Sequence, residues 1–366
     1  MPITFIKHDL AIDFIGRRRF AYGLSIAVLL AGLVSAIWGN GVRLGIDFAG
    51  GVIAQLQFTA PVEDNTLKQS LVKFPSLAGL STQRFGEGGK DYLLRLTSDT
   101  ANATELRATL TEGLKEAFPD NPAEIQRLEV VGPKIGADLT NKALAALYYA
   151  VLLIAVYISG RFEQRWMAGA IMAAALWGGM YLMGFTGLGM GVLVIIALSI
   201  TLAVCLVLKL NYAFGAIVAL IHDVFITIGL LSIFNVEIDL NVIAALMTLI
   251  GYSLNDTIIV YDRLRENFRG KEKLPLDALI NKSVNQTLSR TVLTSGTTLL
   301  ATLALFVLGG GVIHDFALTM LIGVFVGTFS SVFIASAILL PLGDADFYRV
   351  RSETAAYVRP GEHGVV

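Results

Sequence analysis

The chain has 366 residues, 55% hydrophobic and 16% charged, with a mean hydropathy of +0.67. Soluble domains carry about 25% charged residues, so an ordinary soluble fold is excluded and the excess apolar surface has to face lipid. A net charge of −1 excludes the basic footprint of a general nucleic-acid binder. One cysteine, Cys205, excludes an intrachain disulfide and reads as a small packed hydrophobe.

Residues 1–19 end in Arg17, Arg18 and Arg19, followed by an apolar run at 20–38. A basic front before an apolar run resembles a secretory signal, but this run is too long for a signal core and no small-residue cleavage site follows. It reads as a retained first helix with a basic anchor. A bilayer core of roughly 30 Å needs about 20 apolar residues per helical span. Eight segments qualify: 20–38, 142–160, 166–184, 190–208, 212–234, 241–261, 287–308 and 316–341. Residues 262–286 read as a basic loop, within which Lys271–Asn285 is expected as an amphipathic helix on the inner face, and 342–366 as a tail. The run Arg263–Lys273 could hold anionic headgroups; an ordinary basic loop is the plainer reading.

Orientation follows from the basic residues. Arg17–Arg19, Arg161, Arg165, Lys209, Arg263, Arg265, Arg269, Lys271, Lys273, Arg349 and Arg351 fall on one side. The opposing connectors Phe185–Gly189, Asn235–Leu240 and Gly309–Asp315 carry no Lys or Arg. Both termini are therefore expected in the cytoplasm and segment 39–141 outside, as the single soluble domain.

Within 39–141 the apolar periods alternate between strand and helix. Val52–Phe58 reads as a strand and Glu63–Phe74 as a helix. Ser81–Phe85 and Tyr92–Thr97 flank the turn Gly86-Glu87-Gly88-Gly89, a hairpin signal. Ala103–Phe118 carries Leu106, Leu110 and Leu114 on one stripe, and Ile125–Val131 closes as a strand. The order β-α-β-β-α-β predicts a ferredoxin-like α+β domain. The expected fold is thus a polytopic α-helical membrane protein of about eight spans, with one such periplasmic domain after the first helix.

Ionisable residues inside hydrocarbon each cost several kcal/mol and are functional candidates by default. They are His222 and Asp223 in span 212–234, Asp256 beside Asn255 in span 241–261, and Arg290 at the start of span 287–308. Asp256 is seven residues from Arg263, about 10 Å inside the cytoplasmic helix end at about 1.5 Å per residue. Arg290 enters from the same side, so the two can pair, with Asp223 deeper in the same polar seam. Either a fixed structural ion pair or a proton switch fits. In the switch Asp256 titrates, because arginine keeps its proton. His222 with Asp223 reads as a helix-packing hydrogen bond rather than a metal dyad, since no further ligand stands at a suitable spacing. Gly45-Ile46-Asp47-Phe48-Ala49-Gly50-Gly51 lacks the ending of a phosphate loop and reads as a tight turn into the first strand. No metal, cofactor or catalytic group is expected.

The run Gly251 to Asn267 (GYSLNDTIIVYDRLREN) closely resembles the SecF signature. So do Gly45–Gly51, Val131–Gly136 (VGPKIG), Ala219–Val224 (ALIHDV) and Gln286–Thr291 (QTLSRT), in family order along the chain. The resemblance to the SecF family, part of the resistance-nodulation-division superfamily, implies a subunit that pairs with SecD beside the SecYEG channel, with YajC nearby. It implies use of the proton-motive force to help export a preprotein across the bacterial inner membrane. It also implies that Asp256 and Arg290 are the proton-coupling residues, with Asn255, Asp223 and His222 as further candidates and a SecD carboxylate as the missing member. Segments 166–184 and 190–208 depart from the usual six-span pattern and read as an inserted hairpin covering a lipid-facing surface. A small-molecule or lipid exporter of the same superfamily is the alternative, although one outer domain of about a hundred residues is small for a complete pump. An intramembrane aspartyl protease fits poorly, because Tyr261-Asp262 has no second aspartyl motif. One charge crossing 100 mV is worth about 2.3 kcal/mol, whereas moving an equilibrium from 1:99 to 99:1 needs about 5.5 kcal/mol. A single proton per stroke therefore gives only a partial bias.

Overall fold

The computed structural model describes residues 12–39, 41–74, 80–85, 88–96, 103–183, 185, 187–270, 274–309 and 311–354. Lys7, Gly86, Glu87, Thr97, Lys271 and Lys273 fall outside that set.

The first helix, α1 (Arg18–Trp38), leads through a single helical turn, α2 (Ile46–Ala49), into strand β1 (Gly51–Phe58). There follow α3 (Asp64–Leu71), β2 (Ser81–Phe85), β3 (Asp91–Leu96), α4 (Ala103–Ala117) and β4 (Ala123–Val131). The four strands order as β2-β3-β1-β4 with every neighbouring pair antiparallel, the split βαβ arrangement that the sequence predicts. Strand periodicity decides the layers. Val52, Ala54, Leu56 and Phe58 of β1 and Tyr92, Leu94 and Leu96 of β3 are buried, against Leu67 and Leu71 of α3 and the Leu106, Leu110 and Leu114 stripe of α4. Intervening positions, Arg95 among them, lie on the sheet's other face.

Eight further helices follow: α5 (Pro133–Glu163), α6 (Trp166–Met183), α7 (Met190–Val207), α8 (Asn211–Ile233), α9 (Leu240–Arg269), α10 (Leu276–Leu308), α11 (Gly311–Ser330) and α12 (Ala345–Thr354). Among the described residues seven helices are long and apolar enough to cross a membrane. The expected span 166–184 is present as α6, 18 residues long like α7.

Three expectations are corrected. Residues 262–286 are not a loop. α9 continues to Arg269 and α10 begins at Leu276, because nothing breaks a helix before Gly270 or after Pro275. The segment 271–285 is not a separate surface helix either, since from Leu276 onward it is the first part of α10. Hydropathy marks where a helix leaves lipid, not where it ends. Finally, span 316–341 is not one regular helix. After α11 the chain widens into a π-helical segment, Ser331–Ala335, and tightens into a 3-10 segment, Ala337–Leu342, that contains Pro341. Proline has no N–H to give and crowds the carbonyl four residues back.

The sheet domain is tied to the α8–α9 connector. Leu44 and Ile238 form a short parallel bridge, with Gly45 N donating to Ile238 O at 2.8 Å and Ile238 N to Arg43 O at 2.8 Å. Leu240 N donates to Asp47 Oδ2 at 3.0 Å, and Arg95 forms an ion pair with Glu237. Gly50 (φ 75°) and Gly51 (φ 130°) turn the chain from α2 into β1 through backbone regions that L side chains avoid. At the opposite end of the bundle the basic residues gather. Arg161 pairs with Asp262 at 2.9 Å, and Arg165 donates to Leu208 O at 2.9 Å. Arg265 donates to Arg161 O and Arg349 to Phe268 O.

Candidate functional site

Helix α8 is buried on most sides, against α1, α5, α9 and α11. Its crossing with α1 is built from small residues. A Cβ added at Gly32 would meet Gly229 Cα at 2.7 Å, so the two backbones touch. Close approach of this kind lets short polar side chains bridge helices in lipid. Ser25 Oγ lies 3.0 Å from His222 Nε2, and Ser35 Oγ lies 3.0 Å from Ser232 Oγ.

His222 and Asp223 sit near the middle of α8, 8% and 1% exposed. His222 Nδ1 is 2.9 Å from Asp223 Oδ1. The other carboxylate oxygen accepts from Ser253 Oγ on α9 at 2.5 Å and from Ser330 Oγ on α11 at 2.7 Å. One dyad thereby joins four helices.

Asp256 lies one turn further along α9 and is 2% exposed. Its carboxylate accepts from Ser295 Oγ on α10 at 3.2 Å, and Ser295 in turn accepts from Thr328 Oγ1 on α11 at 2.7 Å. Arg290 is close enough for its charge to act on Asp256. Among the described residues no ion pair within 4.0 Å joins them. The expected partner is thus displaced by Ser295, one helical turn and a fraction beyond Arg290 on α10. Arg290 and Asn255 are both exposed on the chain's own surface, and Asn255 belongs to a small, polar stripe on α9, Ala244, Thr248, Gly251 and Asn255. Counting along α9 from Leu240 and back along α10 from Leu308, Asp256 and Arg290 lie about 24 and 27 Å from those helix ends.

The structure therefore separates the candidates into two clusters, His222–Asp223 and Asp256–Ser295, with α9 common to both. Sequence reasoning missed Ser25, Ser253, Ser295, Thr328 and Ser330. The available signal was hydroxyl residues placed mid-span, a weak one, because most such groups simply bond the carbonyl one turn back. Thr227, Thr302 and Thr319 do that. Among the described residues no group of three His, Cys, Asp or Glu side chains could hold a metal.

Two family models match the chain. The SecD/SecF GG motif covers residues 35–62, which contain α2 and the Gly50–Gly51 turn. The SecD/SecF protein export membrane protein C-terminal model covers 110–188 and 185–345. The chain belongs to the SecF family. The two stretches meet at residues 185–188, between α6 and α7. Protein translocase subunit SecF of Calditerrivibrio nitroreducens is 37% identical over 341 residues, covering 92% of this chain and 96% of that protein. The Escherichia coli O157:H7 subunit is 36% identical over 337 residues, covering 90% and 88%. In the crystal structure of SecDF, a translocon-associated membrane protein from Thermus thermophilus, the match has a TM-score of 0.65 at 31% identity. It covers 92% of this chain and 39% of that longer one.

Proposed function

We propose that this chain is the SecF half of a proton-driven protein-export motor. In that motor it pairs with a SecD partner beside the SecYEG channel, with YajC associated, and uses the proton-motive force to promote export of a preprotein. The motor stands in the bacterial inner membrane, with both chain termini in the cytoplasm and the sheet domain in the periplasm. It makes and breaks no substrate bonds; its work is a rearrangement of helices passed to the sheet domain through the Leu44–Ile238 bridge and the Arg95–Glu237 pair.

The observation that carries this proposal is the pairing of a buried Asp256 with an exposed Asn255 and Arg290 at one depth on adjoining helices. Arg290 lies near the end of a roughly 30 Å core, where an arginine reaches toward the boundary, and a polar surface of another protein covering this face would give it a counter-charge. A SecD carboxylate there would accept from Arg290 and share its charge balance with Asp256. Protonation of Asp256 then weakens its hold on that cation and permits a second packing of α9 against α10. In this scheme Asn255 belongs to the covered stripe, and His222 with Asp223 to the same polar seam.

The test is Asp256→Asn in inverted membrane vesicles energised by a proton gradient, following translocation of a secreted protein. Loss of the gradient-stimulated part of export is expected. Export at the parental rate would sink the assignment of Asp256, and failure to co-purify with SecD would sink the proposed pairing.

A further inference from the structure

We propose that His222 and Asp223 form a second proton-binding site, with the exchangeable proton on the imidazole Nε2 and Asp223 as its fixed counter-charge. The Asp223 carboxylate accepts from Ser253, Ser330 and His222 at 2.5, 2.7 and 2.9 Å. Three hydrogen bonds thus converge on one carboxylate. A lone buried carboxylate inside a bilayer is costly, and among the described residues the one side chain in contact that can carry positive charge is His222. In this assignment Nδ1–H donates to Asp223 in both ring states, and the proton that comes and goes belongs to Nε2. Nε2 lies 3.0 Å from Ser25 Oγ. That hydroxyl donates to a neutral ring or accepts from a charged one simply by turning. α1 stays attached in both states, so the ring can exchange its proton without the bundle coming apart.

The elements packed on α8 bring few other ionisable groups to this part of the bundle. α1 carries Tyr22, α5 carries Tyr148 and Tyr149, and α7 carries Cys205. α9 carries Tyr252 and Asp256, while α11 presents the hydroxyl of Ser330. Asp256 alone among these is anionic at neutral pH in its ordinary state, and it lies one turn beyond Ser253, the dyad's own hydrogen-bond donor. A stroke that used both sites would carry two protons where one gives only a partial bias. The adjoining π-helical segment begins at Ser331, directly after Ser330. π-turns are frequent at functional sites, and this one begins next to the hydroxyl that donates to Asp223. The site's role in export rests on the proposed coupling at Asp256; its existence does not.

The experiment is nitrogen NMR of the full chain, labelled at histidine and held in lipid nanodiscs. The chain has four histidines, and the signal of interest is the one missing in H222Q. It should pass between a doubly and a singly protonated ring within about pH 5 to 8. In D223N the doubly protonated form should be lost throughout that window, whereas S25A should still titrate. Should H222Q fail to fold, the signal displaced by both D223N and S25A is the assignment. A ring that keeps one protonation state across the window, or a D223N spectrum matching the parent's, overturns the site. Parental export by D256N would overturn the coupling at Asp256 without touching this measurement.

Discussion

Removing Arg95 should loosen the sheet domain from the membrane helices more than removing its partner Glu237. The Arg95 and Glu237 side chains are 19% and 24% exposed in their ion pair. Burial pulls the guanidinium down from its ordinary range while Asp315 and Asp239 hold it up. Arg95 thus feels Asp315 and Asp239 as well as its partner Glu237, with Arg43 as a second nearby cation. Arg95→Ala removes the attraction for all three acids, whereas Glu237→Ala leaves Arg95 with two acids still within electrostatic reach. Exposed pairs contribute about 0.2–1 kcal/mol, and breaking a fully buried pair costs about 3–5 kcal/mol. A four-fifths-buried pair falls between, at about 2 kcal/mol for Arg95→Ala and about 1 for Glu237→Ala. At about 1.4 kcal/mol per tenfold, the first raises the undocked population by about thirtyfold. The assay is a distance distribution between spin labels at Lys68 on α3 and Asn235 in the α8–α9 connector, both exposed. Cys205, the single native thiol, is buried and leaves little background labelling. The effect should shrink in about 1 M salt, where screening acts over about 3 Å. If Glu237→Ala undocks the domain as strongly as Arg95→Ala, the shared-cation account is wrong.

Two other outcomes follow from the same contacts. Ser295→Ala removes the hydroxyl donor of the buried Asp256 carboxylate and should lower gradient-stimulated export by about fivefold or more, a loss of 1 kcal/mol or greater. Ser295→Thr keeps the hydroxyl and should retain most of the activity; equal loss in both would point to packing instead. The second outcome concerns Asp13, which is held below its ordinary 3.8 by the Gly16 N–H first and by Asn281 next. A depressed carboxyl contributes stability above its unfolded value and loses it as pH falls through the folded one. Amide exchange at residues 12–16 should therefore speed up as pH drops below about 4, after correction for intrinsic rates. Asp13→Asn should flatten that dependence, and an unchanged slope would show that Asp13 does not hold the segment.

Periodicity and lipid thickness were enough to read most of this molecule from its residues. Leu106, Leu110 and Leu114 had one packing face available, and Ser81–Phe85 one partner strand, because alternation and turn residues are local properties. The shared depth of Asp256 and Arg290 is likewise local, since it needs only the rise per residue and the helix ends. Contacts between helices are not local. Nothing in the spacing of Ser25, Ser253 and Ser330 says that they converge on one histidine–aspartate pair. Their meeting depends on how α1, α9 and α11 are rotated around α8, and that rotation is set by contacts such as Gly32 against Gly229. The same holds for Ser295 taking the place at Asp256 expected of Arg290. A residue's chemistry and depth are written in the sequence; which neighbour receives its hydrogen bond is decided by the packing of helices far apart along the chain.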